Sequence, residues 1–265
     1  MSDQKVVVIT GAGRGLGNAL ARAYLARPNH TVVGSYRNES QPGVAELKSS
    51  PKADGSRLIL VKIESSSPTD AAEAVKTMKA EGIEHIDVLV ANAGVSPPLQ
   101  PVETVDLGIL KSAFEVNAMG PLALYQACHE LLKKSSNPKF APISSAAGTL
   151  GGMEKYDVPE NCLSYESPLS EPAHSSRILL LAAASLNWIT LAAHCGNPWL
   201  TAIAINPGLV ATDMGNETAK YLGLEKAPWT PEQSAEKVMA IIDDSSREKY
   251  SGKFIDAISG IEFPW

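Results

Sequence analysis

Short runs of aliphatic and β-branched residues alternate along this chain with longer stretches of helical period. The runs predict strands at Val6–Thr10, Thr31–Ser35, Leu58–Lys62, Ile86–Ala91, Phe140–Ser144, Thr201–Asn206 and Gly252–Asp256. Amphipathic stretches lie between most of them, the first running from Asn18 to Ala26. Such alternation demands right-handed crossovers, and so a doubly wound parallel sheet of about seven strands with helices on both faces. One domain over residues 1–265 is expected. The most apolar stretch, Ile178 to Ala193, is broken by Ser185, Asn187 and Thr190. It is short of the ~20 residues of a membrane span and reads as a buried or interface helix.

In sheets of this kind ligands bind beyond the carboxyl ends of the strands, so the residues just after each strand carry the functional information. The first strand runs into Thr10-Gly11-Ala12-Gly13-Arg14-Gly15-Leu16-Gly17, which opens a helix. The free N–H groups of a helix start, with its dipole, attract an anion such as a dinucleotide pyrophosphate, and glycines let the backbone approach it. Gly11, Gly15 and Gly17 give G-x-x-x-G-x-G, with Leu16 where the commoner fingerprint has its third glycine. Polar turns also come after the fourth, fifth and sixth strands: Asn92-Ala93-Gly94, Ser144 to Gly148, and Asn206-Pro207-Gly208. Each alone is an ordinary turn; on one edge they outline the cleft of a Rossmann-type nucleotide site. The second strand ends Ser35-Tyr36-Arg37, with no acid at the position that would bond a free ribose 2′-hydroxyl. Arg14 and Arg37 instead offer guanidinium forks suited to a 2′-phosphate, so NADP(H) is the expected cofactor.

Composition narrows the classes further. Hydrophobic residues make up 44% and charged ones 20% of 265, which suits a globular chain with a sizeable core. The net charge of −6, with scattered basic residues, argues against nucleic-acid and anionic-membrane partners. No basic and apolar leader precedes the first strand, so a cytoplasmic protein is expected. Cys128, Cys162 and Cys195 include no C-x-x-C and argue against a disulfide framework or zinc site; buried reduced thiols are expected. The five histidines lack ligand spacing, and no metal is implied.

The glycine turn, Ala91-Asn92-Ala93-Gly94, Asn117 within Val116-Asn117-Ala118, Ile143-Ser144-Ser145-x-x-Gly148 and Asn206-Pro207-Gly208-x-Val210-x-Thr212 together resemble the short-chain dehydrogenase/reductase family, in order and in spacing. The tail from Ser251 to Trp265, Trp199 to Ala202 and Thr212 to Gly215 resemble its subgroup of sniffer-type carbonyl reductases and norsolorinic acid ketoreductases. The resemblance implies hydride transfer between a nicotinamide and a carbonyl carbon, on a polyketide-like aromatic ketone. It implies that Ser145 bonds the carbonyl oxygen, Asn117 supports a water relay, and a tyrosine exchanges the proton, aided by a lysine four residues on. Glu64 is implied near the adenine, Asn92 and Gly94 at the adenosine ribose, Val210 and Thr212 at the nicotinamide end. Residues 209–230 are expected to form a substrate flap. A homodimer or homotetramer is implied, through helices near Leu122–Leu132 and Leu179–Ala193.

One segment departs from the family pattern. Glu160 stands four places after Tyr156, and Leu169 four places after Tyr165, so this region has no Tyr-x-x-x-Lys. Cys162-Leu163-Ser164-Tyr165 resembles the approach to the family tyrosine, which makes Tyr165 its candidate for catalysis and for cofactor contact. Ala184-Ser185-Leu186-Asn187-Trp188 resembles the stretch the family places directly after its lysine, which puts the lysine position at Ala183. The two lie 18 apart where 4 is expected, an excess of 14 residues inside an atypical insert at 149–182. Pro168 and Pro172 forbid a helix starting at Tyr165. Either the active-site helix has been rebuilt, or the segment is a translated artefact such as a retained intron, the reading slightly favoured. Lys155, His174 and Arg177 are the nearby groups that could replace the lysine. Losing a positioned proton donor removes ~10²–10⁴ in rate, so an impaired reductase is expected. The alternative is an inactive nucleotide-binding pseudoenzyme that senses or scaffolds.

Overall fold

The computed structural model describes residues 4–97, 103–152 and 179–265. The strands are β1 (Lys5–Ile9), β2 (His30–Tyr36), β3 (Arg57–Lys62), β4 (Val88–Val90), β5 (Lys139–Phe140), β6 (Thr201–Ala202), β7 (Ala204–Asn206), β8 (Phe254–Asp256) and β9 (Glu262–Phe263). The helices are α1 (Gly15–Leu25), α2 (Pro42–Ser49), α3 (Asp70–Ala80), α4 (Leu107–Phe114), α5 (Gly120–Leu132), α6 (Leu179–Gly196), α7 (Asp213–Tyr221) and α8 (Pro231–Asp244). Six strands form a parallel ladder in the order β3-β2-β1-β4-β5-β6, and β7 pairs with β8. This is the expected Rossmann-like α/β sheet.

Alternation along the strands sorts the core into two layers, because successive side chains point to opposite faces. Val7 and Ile9 of β1 pack with Leu20 and Tyr24 of α1 and Val238, Met239 and Ile242 of α8. Val6 and Val8 pack on the other face with Val75 and Met78 of α3, Leu124, Cys128 and Leu131 of α5, and Ala193 of α6. A buried lysine ties one layer to the sheet: Lys139 Nζ on β5 donates to the carbonyls of Ile242 (2.5 Å) and Asp243 (3.1 Å) at the end of α8. A cation there complements the helix dipole.

Strand limits differ from expectation where the backbone gives a reason. The run at Phe140–Ser144 yields only Lys139–Phe140, because Pro142 has no N–H to donate. Its register nevertheless continues, with Ala141 N–H donating to Leu89 O and Ile143 N–H to Ala91 O, each at 2.9 Å. The run Thr201–Asn206 divides into β6 and β7 where the pairing passes from β5 to β8. The antiparallel β9 has no counterpart in the expected elements; its two residues are too short for a periodic signal. No helix among the described residues is long and apolar enough to cross a membrane.

The thiols also need correction. Cys128 is buried in α5, but Cys195 is exposed near the end of α6, where the helix has turned its last residues outward; Cys162 lies outside the described residues. Burial pushes the Cys128 thiol up to about 12, which leaves almost no thiolate at neutral pH. Iodoacetamide at neutral pH is therefore expected to alkylate Cys195 and spare Cys128 in the folded protein. Peptide mass spectrometry reads this directly, and equal labelling of the two would contradict the packing of α5.

Candidate active site

Three strand ends are knitted into one turn. Thr10, just after β1, accepts at its hydroxyl from the N–H groups of Asn92 and Ala93, each at 3.0 Å, while the Asn92 amide donates back to Thr10 O at 2.9 Å. On the other side, Gly11 N–H donates to Ser35 Oγ and Ala12 N–H to Ser35 O at the end of β2. Gly11 and Gly15 have φ of +70° and +54°, a region that other residues enter only with strain. Gly17 is needed for space: a side-chain carbon there would collide with the Gly11 carbonyl oxygen and stand 2.5 Å from the Asn92 amide nitrogen.

No side chain among the described residues caps the N-terminus of α1, and its first turn holds no acid. The leading N–H groups of that helix therefore have no side-chain acceptor of their own, as an anion site requires. The Leu16 side chain is buried in the core, so only its backbone can serve a phosphate. Arg14 and Arg37 both stand exposed at the rim, in loose ion pairs with Asp213 (3.5 Å) and Glu64 (3.9 Å). Both pairs are solvated and weak, and either arginine can turn to a phosphate at little cost. The Glu64 N–H is held by Asp70 (2.9 Å), whose carboxyl sits below its usual range because the Ser67 hydroxyl and this N–H donate to it.

Asn117 lies in a π-turn, Glu115–Met119, between α4 and α5. Its amide is used in both directions on one residue, accepting from Val95 N–H (2.9 Å) and donating to Val95 O (2.8 Å), with Gly94 beside it. The helix bulge thus grips the loop after β4.

Ser145 comes after β5 and heads a 3-10 turn, Ala146–Gly148, where its exposed hydroxyl oxygen accepts from Ala147 N–H at 3.3 Å. Its hydroxyl proton has no acceptor among the described residues. The preceding Ser144 is buried and donates to Asn187 Oδ1 (2.6 Å), and the Asn187 amide donates to Gly148 O (3.2 Å). One turn before Asn187 stands Ala183, packed so closely on Gly148 that a side-chain carbon at 148 would lie 2.7 Å from Ala183 Cβ. The position expected for the family lysine therefore abuts the Ser145 turn and carries a methyl group. In the sequence Asn187 reads as an interruption of an apolar run and as part of the stretch after the lysine position, with no sign of its bonds to Ser144 and Gly148.

Val210 and Thr212 reach the same region from the other side. Thr212 Cγ2 lies 3.0 Å from where a Gly15 side chain would begin, and the Thr212 hydroxyl caps α7 by accepting from Gly215 N–H (3.1 Å). Val210 bridges to Trp229, with Ala211 N–H donating to Trp229 O and Trp229 N–H to Leu209 O. Residues 209–230 are thus pinched at the neck. Tyr165 lies outside the described residues, as does most of the segment 149–182.

Comparison with known proteins agrees with this fold. The family model for the short chain dehydrogenase matches residues 5–156, ending within the segment 149–182. The chain is 44% identical over 271 residues to short-chain dehydrogenase srdF of Neurospora crassa, covering 100% of this chain and 99% of that protein. It is 36% identical to the norsolorinic acid ketoreductase of Aspergillus parasiticus, over 99% of this chain and 92% of that one. A crystal structure of NADPH-bound carbonyl reductase from chicken fatty liver superposes with a TM-score of 0.79 at 23% identity, over the full length of both. The chain belongs to the short-chain dehydrogenase/reductase family.

Proposed function

We propose that this protein binds NADP(H) and reduces a carbonyl compound to an alcohol, at a rate lowered by the methyl group of Ala183 where the resemblance implies a lysine. The observation that carries the reading is the uncapped start of α1 behind the Gly11–Gly17 turn, flanked by the exposed guanidinium groups of Arg14 and Arg37. The backbone of that turn, including Leu16, would hold the pyrophosphate, and Arg37 with Arg14 the 2′-phosphate. Glu64, Asn92 and Gly94 would line the adenosine, and Val210 and Thr212 the nicotinamide end. When bound, the reduced cofactor supplies a hydride to the carbonyl carbon. Ser145 orients the carbonyl by donating its hydroxyl proton to the oxygen. Asn117 holds residues 92–95 in place, and Tyr165 is the proposed proton donor. The flap at 209–230 excludes water over an apolar, aromatic ketone, a substrate class suggested by the name of the Aspergillus relative. Exposed Leu181 and Trp188 on α6 suit self-association, and a cytoplasmic setting suits the cofactor.

NADPH should raise the melting temperature more than NADH at equal concentration. Replacing Arg37 with glutamate is expected to weaken NADPH binding at least ~10-fold and leave NADH unchanged, since a charge-assisted bond to phosphate is lost. Equal affinity of the unaltered chain for both dinucleotides would sink the NADP(H) assignment. Ala183 favours one second reading, a nucleotide sensor without turnover. Oxidation of NADPH with a panel of aryl ketones separates them: a trace above the buffer blank marks the reductase, a flat one the sensor.

A further inference from the structure

The turn that carries Ser145 is gripped at both ends by the last residues of the chain. At its start, Ala146 N–H donates to Asn206 Oδ1 (3.1 Å), and the Asn206 amide donates in turn to Asp256 Oδ1 (2.7 Å) at the end of β8. The second oxygen of Asp256 accepts from the backbone N–H (2.9 Å) and hydroxyl (2.5 Å) of Ser259. Asp256 is 9% exposed. At the far end of the turn, the buried Thr149 hydroxyl donates to Pro264 O, and Gly151 N–H donates to Trp265 O at 2.6 Å. Thr149 Oγ1 also accepts from Gly152 N–H (3.0 Å). Aromatic packing anchors this tail: the Trp265 ring stacks on Phe254 at 6.2 Å, and Phe254 meets Phe263 edge-on at 5.3 Å.

The geometry points to the hairpin of residues 254–265 as a positioning element for the catalytic turn, with Asp256 and the Pro264–Trp265 strap as its two points of purchase. This rests on the reductase reading of Ser145. The carboxylate matters because it accepts on both sides. With two acceptor oxygens it forces Asn206 to present its amide NH₂ to Asp256 and its carbonyl to Ala146. An asparagine at 256 offers one acceptor where two are used, so it opposes a donor on Asn206 or on Ser259 and loosens the tie between the hairpin and the head of the Ser145 turn. Neither Asp256 nor the strap touches the reacting atoms.

Hydrogen exchange on the full-length protein tests this without relying on turnover, using Asp256→Asn and a chain shortened by Pro264 and Trp265. Amides of residues 143–152 are expected to exchange ~10-fold faster in both variants, while peptides from β1 and α8 keep their rates. Exchange at 143–152 within about twofold of the unaltered protein overturns the proposal, and so does equal acceleration in the control peptides, which marks a general loss of stability. Kinetics supply the second readout: with aryl ketone, kcat falls ~10-fold or more with unchanged NADPH affinity, as misplacement of a catalytic group requires. A change confined to NADPH affinity overturns it. Should the unaltered protein itself show no turnover, the reductase reading fails, and the exchange result still decides whether the hairpin positions the turn.

Discussion

Removing residues 166–179 and replacing Ala183 with lysine is expected to raise carbonyl turnover by ~10²–10⁴-fold. The deletion takes out 14 residues and leaves Tyr165 four before position 183, one helical turn away on the same face. The physical case lies in where Ala183 stands. It packs on Gly148, one turn before the Asn187 that is bonded to both Ser144 and Gly148, so α6 has a fixed register against the Ser145 turn. Ala183 is half-buried against the Ser145 turn. An ammonium there would lower the tyrosine hydroxyl from its reference near ~10 and ready it to exchange a proton. A second variant, Leu179→Tyr with Ala183→Lys in the full-length chain, builds the same spacing without a deletion. Initial rates of NADPH oxidation with aryl ketones decide the matter: if neither variant outpaces the unaltered chain, the assignment of position 183 is wrong.

The second large effect is expected from Gly17→Ala. One methyl group would collide with the Gly11 carbonyl and the Asn92 amide, so the turn between β1 and α1 must move to admit it. Overpacking of this kind costs ~1–3 kcal/mol in stability, and here it also displaces the backbone proposed to meet the pyrophosphate. NADPH at ~100 times Kd stabilises a binder by ~2.7 kcal/mol, and that increment should vanish in the variant, a loss in affinity of at least ~100-fold. Thermal denaturation with and without NADPH reads the increment, and the melting temperature without nucleotide reports the packing cost separately. A variant that keeps the full NADPH shift would show that the nucleotide does not sit on this turn.

The sequence reveals elements in proportion to how local their causes are. The parallel ladder from β3 to β6 and the turn at Gly11–Gly17 depend on alternation, helical period and glycines adjacent in the chain, and they emerge where the pattern puts them. Contacts made across long separations leave little trace. Asp256 looks like the last residue of a strand, and only folding brings it to Asn206, 50 residues earlier. Thr149 meets Pro264 across 115 residues. Cys195 is expected to be buried because thiols usually are, yet the end of α6 lies open to solvent. Arg14 and Arg37 are proposed as phosphate ligands from type and place, but their ion-pair partners Asp213 and Glu64, which come from other elements, are not legible.

The pinched neck at Val210 and Trp229 has a bearing on how this scaffold can diversify. Its two roots are fastened to each other by main-chain bonds that no side chain specifies, so the excursion beyond Thr212 and Asp213, the two residues that meet the glycine turn, is held at its base whatever its sequence. Insertions or deletions beyond Asp213 are thereby separated from the sheet. Under the proposed function, a graft of residues 216–228 from a relative, which leaves Val210, Thr212 and Asp213 in place, should therefore change which carbonyl compound is accepted with little effect on nucleotide binding.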